Sequence, residues 1–177
     1  MTKEKWIIDA DHSLIEFSVK HMMIAKVRGN FAKFDANITA DSTDLTTAAI
    51  DFTIDTASIY TKNNDRDNHL RSADFFDAES FPNITFKATE ITKVSGDDYK
   101  VIGDVTIKDI TRPETFDVTF EGEGKDPWGN TKAGFSAKTK INRSDYGLTY
   151  NAALETGGVL IGDQITINIE LEASKQA

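Results

Sequence analysis

Apolar and polar residues alternate with a period of two along most of this chain, and no other feature constrains the fold as strongly. Ile15, Phe17 and Val19 are separated by Glu16 and Ser18; Ile50, Phe52 and Ile54 by Asp51 and Thr53; Ile84, Phe86 and Ala88 by Thr85 and Lys87. Further rows are Val101, Gly103, Val105 and Ile107; Phe116, Val118 and Phe120; Phe135, Ala137, Thr139 and Ile141; and Ile165, Ile167, Ile169 and Leu171. A strand points successive side chains to opposite faces, so each row predicts a strand with one buried face. One solvated face is the habit of antiparallel sheets, since parallel ones are covered on both sides.

Between Val27 and Ala40 the phase slips from odd to even positions, which predicts a β-bulge and a curved sheet. Turn signals stand at Ser95-Gly96-Asp97-Asp98, Thr111-Arg112-Pro113, Asp126-Pro127-Trp128-Gly129-Asn130 and Gly157-Gly158. Residues 61–81 break the alternation, and Asn or Asp near 63–65 predicts a capped short helix over about 63–77. A second irregular stretch runs from Arg143 to Glu155. The chain of 177 residues has no tandem repeat and no linker, so one domain over 1–177 is expected. About eight strands with one helical insertion predict an all-β fold, an antiparallel barrel or sandwich.

A barrel of about eight strands is either filled by its own side chains or holds one small ligand. Gly29, Ala36, Ala88, Gly103 and Ala137 lie in phase with larger apolar residues. They either leave room or match bulky neighbours in a filled core. Residues expected to line an interior site are Phe17, Val19, Phe31, Phe52, Phe86, Val105, Phe116, Val118, Phe135, Ile165 and Ile167. Two cations extend the inward rows: His21 continues the Phe17–Val19 row, and Arg143 the Thr139–Ile141 row. They read as donors to a polar or anionic head group at a barrel mouth, because Arg suits carboxylate and phosphate. The plain alternatives are that both reach water, or that Arg143 pairs with Asp145. Met22 and Met23, beside His21, suit an adaptable entrance or a partly packed loop.

Composition narrows the function. There is no cysteine, which excludes disulfides, thiolate metal sites and a cysteine nucleophile. Twenty Lys and Arg against 29 Asp and Glu give a net charge of −9, and no basic face of the kind nucleic acid requires is visible. No apolar run is long enough for a membrane span, so no stable membrane insertion is expected. The opening MTKEKWIIDADHS has no apolar h-region and no small-residue cleavage site, which predicts a cytoplasmic protein. A mature chain given a new initiator Met would read the same way. No catalytic or metal constellation emerges. His12, His21 and His69 show no metal spacing, and the run from Asp65 fails as a calcium loop with Leu70 at position 6 and Phe76 at position 12. Asp11-His12-Ser13 has triad residue types but only as chain neighbours; Asp11 and Ser13 suit local turn hydrogen bonds. No cofactor is expected.

The motifs, taken in order, resemble the YceI-like family. The opening Trp6-x-x-Asp9-x-x-His12-Ser13-x-x-x-Phe17-x-Val19-x-His21 is followed by Val27-x-Gly29-x-Phe31. Next come His69-Leu70-x-Ser72-x-Asp74-Phe75-Phe76-Asp77 and Phe81-Pro82-x-Ile84-x-Phe86. Gly103-Asp104-Val105-Thr106-Ile107-Lys108 with Thr111-x-Pro113, Ile141-Asn142-Arg143-x-Asp145-Tyr146-Gly147 and Gly162-Asp163-x-Ile165-x-Ile167-x-Ile169-Glu170 complete the pattern. The resemblance spans about residues 6 to 173. It implies a lipocalin-like antiparallel barrel with a helix near one end, and an apolar tunnel for a polyisoprenoid, an isoprenoid-quinone precursor or a fatty amide. A non-enzymatic carrier or sequestering protein is the first expectation. An enzyme acting on such a lipid, or a stress-related module with a filled core, are the others. An edge strand is the expected route to any homodimer. Of the residues that match the motifs, His12, Ser13, His69, Asp74, Arg143, Asp145 and Gly147 carry no catalytic role from the family, and several suit a role in holding helix and loops to the barrel.

Overall fold

Eleven strands and one helix build the fold, in a computed structural model that describes residues 3–152, 154 and 159–176. The strands are β1 (Glu4–Ile8), β2 (Leu14–His21), β3 (Ala25–Phe31), β4 (Phe34–Asp41), β5 (Asp44–Asp55), β6 (Ile59–Tyr60), β7 (Asn83–Ser95), β8 (Asp98–Ile107), β9 (Ile110–Lys125), β10 (Thr131–Asn142) and β11 (Ile161–Lys175); α1 (Asn64–Arg71) lies between β6 and β7. Every pairing is antiparallel. The order β1-β4-β5-β7-β8-β9-β10-β11 closes on itself, because β11 returns to β1 through Trp6 opposite Lys175. This is the expected barrel, a closed ring of eight strands. β2, β3 and β6 extend one end of it: β2 pairs β11, β3 pairs β2, and β6 pairs β3.

The phase slip has a different origin from the one its pattern suggests. No extra residue bulges out between Val27 and Ala40. The strand breaks instead at Ala32–Lys33, and Phe31 faces Ile59 of β6 while Phe34 faces Ile54 of β5. The neighbouring strand breaks at the same level, in the 3-10 turn Thr56–Ser58. Ser58 ties the two breaks together: its carbonyl accepts from Ala32 N at 3.1 Å and its hydroxyl from Lys33 N at 3.0 Å. Bulges do occur elsewhere. One after Ala88 moves the inward row of β7 from Ile84, Phe86 and Ala88 to Ile91.

Two turn expectations also change. Thr111-Arg112-Pro113 lies inside β9, and the turn falls earlier, at Lys108 and Asp109, whose φ of 53° and 62° suit a two-residue hairpin. Pro113 is tolerated because β9 is laddered there to β8 alone, leaving its missing N–H on an unpaired side. The Gly157-Gly158 signal lies outside the described residues.

The helix begins where capping predicts: the side chain of Asn63 accepts from Arg66 N at 3.0 Å. It ends at Arg71 rather than near 77. Ser72 Oγ donates to His69 O at 2.5 Å, and a serine bonding back to the previous turn in this way competes with helix propagation. Asp67, buried on α1, accepts from both Thr61 N and Thr61 Oγ1, at 2.9 and 2.5 Å. Arg66 donates to Thr61 O and Arg71 to the carbonyls of Ala57 and Ile59. The helix is therefore fastened to β6 mainly by polar bonds.

Two apolar clusters fill opposite parts of the barrel. The larger contains Ile15, Phe31, Ile59, Phe75, Val101, Val105, Ile107, Phe116 and Tyr146. The smaller, with Trp6, Ala40, Ala133 and Ala173 backed by Ile8, Ile38, Phe120 and Phe135, closes the end away from α1.

Candidate ligand cavity

A cavity of about 540 Å³ lies within the barrel. That lies within the roughly 300–1,000 Å³ typical of ligand sites. Along β11 its wall extends from Ile161 to Leu171, and ten residues of strand cover roughly 33 Å. The space is thus elongated along the strands, though shorter along the barrel axis because barrel strands are tilted by about 35–45°.

The wall is almost wholly apolar. Phe17, Val19, Phe31, Phe52, Phe86, Val105, Phe116, Val118, Phe135, Ile165 and Ile167 all line it, and so does Ala137. The small inward residues divide between the two roles open to them. A Cβ at Gly29 would stand 2.6 Å from Phe17 Cζ, and one at Gly103 would stand 2.5 Å from the Phe86 ring. Those two glycines seat aromatic rings and add no room, whereas Ala137 faces the cavity.

Six polar wall residues gather at the α1 end, Lys20, His21, Arg66, His69, Arg143 and Tyr150, and Glu16, Thr85 and Tyr99 also line the cavity. His21 occupies the position that alternation predicts, and its imidazole makes no hydrogen bond to another described residue. Arg143 also lines the cavity but is engaged elsewhere. It is 5% exposed and donates through Nε to Gly162 O, through Nη1 to Leu148 O and through Nη2 to Ile161 O, at 2.9, 2.5 and 3.4 Å. Its fork is committed to backbone carbonyls, so it is a clamp on the loop after β10 and not a free donor for a head group. Nor does it pair with Asp145, whose carboxylate faces Arg112 at 3.8 Å. Burial pushes the Arg143 guanidinium below its ordinary pKa, with the charge of Asp163 opposing the shift.

The loop that Arg143 clamps is fixed from the other side by Tyr146. This residue is fully buried, and its hydroxyl donates to Glu114 Oε1 at 2.9 Å. Burial, with Glu114 second, raises the phenol's pKa well above its ordinary value. Gly147 then takes a left-handed conformation, φ 75°, that ends the 3-10 turn.

His69 and Tyr150 were not among the lining residues expected from the strand pattern, because they sit on the helix and on the loop after β10. His69 Nε2 lies 2.9 Å from Asp74 Oδ2. Its ring packs edge-on against Phe75 and Tyr150, with centroids 5.0 and 4.8 Å apart. The signal for His69 was present only in the family motif His69-Leu70-x-Ser72-x-Asp74-Phe75, and Tyr150 stands in no motif.

Outside the cavity, one cluster among the described residues has metal-ligating types: Asp9, His12 and Glu172, with ligand atoms within 4.8 Å of one another. It is built as an ion-pair network. His12 Nδ1 faces Asp9 Oδ2 at 2.9 Å and Glu172 Oε2 at 3.4 Å, and Lys132 Nζ stands 3.8 Å from the same Asp9 oxygen. A lysine so placed disfavours a second cation. The local turn bond is made by Asp9, which accepts from Asp11 N at 3.1 Å; Ser13 instead bonds across to β11, its hydroxyl accepting from Glu172 N at 3.1 Å.

Comparison with known proteins agrees with this architecture. The YceI-like domain model matches residues 6–173. A UPF0312 protein of Staphylococcus aureus (strain bovine RF122 / ET3-1) is 44% identical over 167 residues, covering 94% of this chain and 95% of its own. Among solved structures, the Campylobacter jejuni YCEI protein aligns with a TM-score of 0.77 at 34% identity, covering 89% and 90% of the two chains. Burkholderia cenocepacia BcnA gives 0.82 at 25% identity, covering 93% and 98%. A polyisoprenoid binding domain from Saccharophagus degradans, implicated in plant cell wall breakdown, shares the fold, with a TM-score of 0.73 at 12% identity over 98% and 99%. On sequence and on architecture alike, this chain belongs to the YceI-like domain family.

Proposed function

We propose that the protein binds one long apolar lipid in the barrel, of the polyisoprenoid, isoprenoid-quinone-precursor or fatty-amide kind, and acts as a carrier or sequestering protein. The observation that carries this is the cavity: long, apolar along its walls, closed at one end by the Trp6 cluster and ringed by polar groups at the other. Burying a chain gains roughly 0.8 kcal/mol for each CH₂, so affinity builds up without specific polar contacts. The polar residues at the α1 end then fix which way round the ligand lies. With Arg143 committed to carbonyls and Arg66 donating to Thr61, His21 is the group that would meet a head group. The polyisoprenoid binding named for the Saccharophagus degradans domain supports the ligand class. Binding is favoured over catalysis because none of the polar wall residues forms a nucleophile–base pair.

Native mass spectrometry of the purified protein, followed by solvent extraction and lipid analysis, tests this. The expected result is an adduct of one apolar lipid released by solvent, or its formation when a polyprenol is added to the bare protein. A bare mass that stays bare with polyprenol, quinone precursor and fatty amide would overturn the reading.

A further inference from the structure

The turn between β2 and β3 carries Met22, Met23 and Ile24 at the open end of the cavity, and their exposures are 44%, 49% and 85%. Met22 and Met23 have φ of 55° and 62°, a left-handed conformation that L side chains other than Asn and Asp rarely adopt. An apolar tip is thus held out to solvent at some conformational cost. It is not isolated: Val159, also exposed, adjoins Leu160, which bonds to the tip. His21, Leu160 and Ile161, immediately behind the tip, line the cavity, and Met22 N donates to Leu160 O at 2.7 Å.

The charge around the tip runs against the rest of the chain. Residues 17–34 hold four of the 20 Lys and Arg and none of the 29 Asp and Glu. Lys20 and Lys26 face each other across the hairpin, Arg28 lies one step further on the same face, and all three are exposed. None has an ion-pair partner among the described residues. The nearby Asp163 is occupied, accepting from Ser144 N and Oγ at 3.0 and 2.9 Å.

We propose that this hairpin docks on an anionic lipid bilayer: Met22, Met23 and Ile24 enter the interface while Lys20, Lys26 and Arg28 meet the head groups. An apolar tip flanked by cations matches what the interface rewards, apolar burial plus attraction to anionic lipid. The net charge of −9 does not oppose this on contact, since charges more than about 8–10 Å from the surface are largely screened in physiological salt. Docking in this orientation sets the cavity mouth against the bilayer. The use of that mouth for lipid exchange rests on the ligand reading above; the docking does not.

The test is co-sedimentation of the full chain with phosphatidylcholine vesicles, with and without phosphatidylglycerol, at low and high salt. Pelleting is expected with the anionic vesicles, weakened by salt. Lys26→Glu and Arg28→Glu should each lower the partition by at least roughly five-fold. Met23→Ser with Ile24→Asp should abolish it. A fluorescent polyprenol delivered from detergent micelles is read in parallel on the same variants. Uptake kept with docking lost supports the proposal; docking by a chain that takes up no polyprenol supports it too and overturns only the ligand reading. No pelleting, pelleting indifferent to all four substitutions, or an Ile24-dependent dimer in size exclusion would overturn it.

Discussion

The ring of Phe17 on β2 lies over Gly29 on β3, its cross-strand partner: a Cβ at residue 29 would come within 2.6 Å of Phe17 Cζ. It would also stand 2.9 Å from the backbone oxygen of Tyr60 and 2.8 Å from Thr61 Cγ2. The ring can turn, but only into the cavity that it lines, and the backbone oxygen cannot move alone. Gly29→Ala should therefore destabilise the protein by about 1–3 kcal/mol through overpacking and lower lipid uptake as well. Urea unfolding and a polyprenol-binding assay on the same variant check this. Unchanged stability with unchanged uptake would mean that the ring has another place to go.

Arg143 was expected at a mouth and was found at a clamp. Arg143→Ala removes the side-chain donor of the Leu148 and Gly162 carbonyls, while Ile161 O keeps Asn151 Nδ2 at 2.8 Å. Unmaking hydrogen bonds from a buried charged group should cost about 2–4 kcal/mol. Arg143→Lys should rescue little, because an ammonium does not reproduce the planar fork that reaches three carbonyls on two segments. Melting curves of both variants decide it. A head-group role would give the opposite result: stability kept, and affinity for charged-headed lipids lost.

These residues also show how far the sequence could be read. Period-two rows at Phe86, Val105, Phe116 and Ile165 mark the inner wall correctly because a pleated strand leaves no choice of face. The same logic fails at Val27–Ala40, since a broken strand and a bulged one leave the same phase change; only the partners, Ile59 for Phe31 and Ile54 for Phe34, distinguish them. It fails for Arg143 for a related reason. Alternation gives the direction of a side chain but not its acceptors, and the three that matter are backbone carbonyls from 5 to 19 residues away, invisible to pattern. His69 and Tyr150 reach the cavity from a helix and a loop, where no two-residue rule applies. The likeness of Gly29 and Ala137 in the sequence likewise hides opposite roles, one under a ring and the other facing the lumen.

The ion pairs that join the β1–β2 turn to β11 should be visible in a pH titration. Asp9 holds the imidazole of His12 above its ordinary value near 6.5, first by a hydrogen bond and then by charge, with Glu172 adding to it. His12 in turn is the main group holding Asp9 below the ordinary 3.8. A raised histidine favours the folded state while protonated, so its contribution is complete below about 6.5 and disappears as pH rises through the raised value. A lowered carboxylate works the other way: its contribution is present above about 3.8 and lost as pH falls through the lowered value. The pair therefore helps most in the window between them. The His12 ring proton resonances should titrate with a midpoint above 6.5 in the native chain and move back toward it in Asp9→Asn. A midpoint unmoved by that substitution would show that the pair does not form in solution.

Ala137 offers the sharpest separation of binding from folding. It sits on β10 between Val118 of β9 and Ile169 of β11, and it lines the cavity toward the Leu171 end of the wall, away from α1. Phenylalanine there would place a ring into space the native protein leaves open, where overpacking costs little because no packed neighbour has to yield. Its backbone requirements are those of a strand, which aromatic residues meet well. Ala137→Phe should thus keep the melting temperature while cutting uptake of a long polyprenol about ten-fold or more, as the ring takes up the inner part of the cavity. A short ligand held wholly on the α1 side of residue 137 should still bind. Equal loss for both lengths would place the occupied segment across Ala137 in each case, and loss for neither would show that the ligand does not run along the barrel.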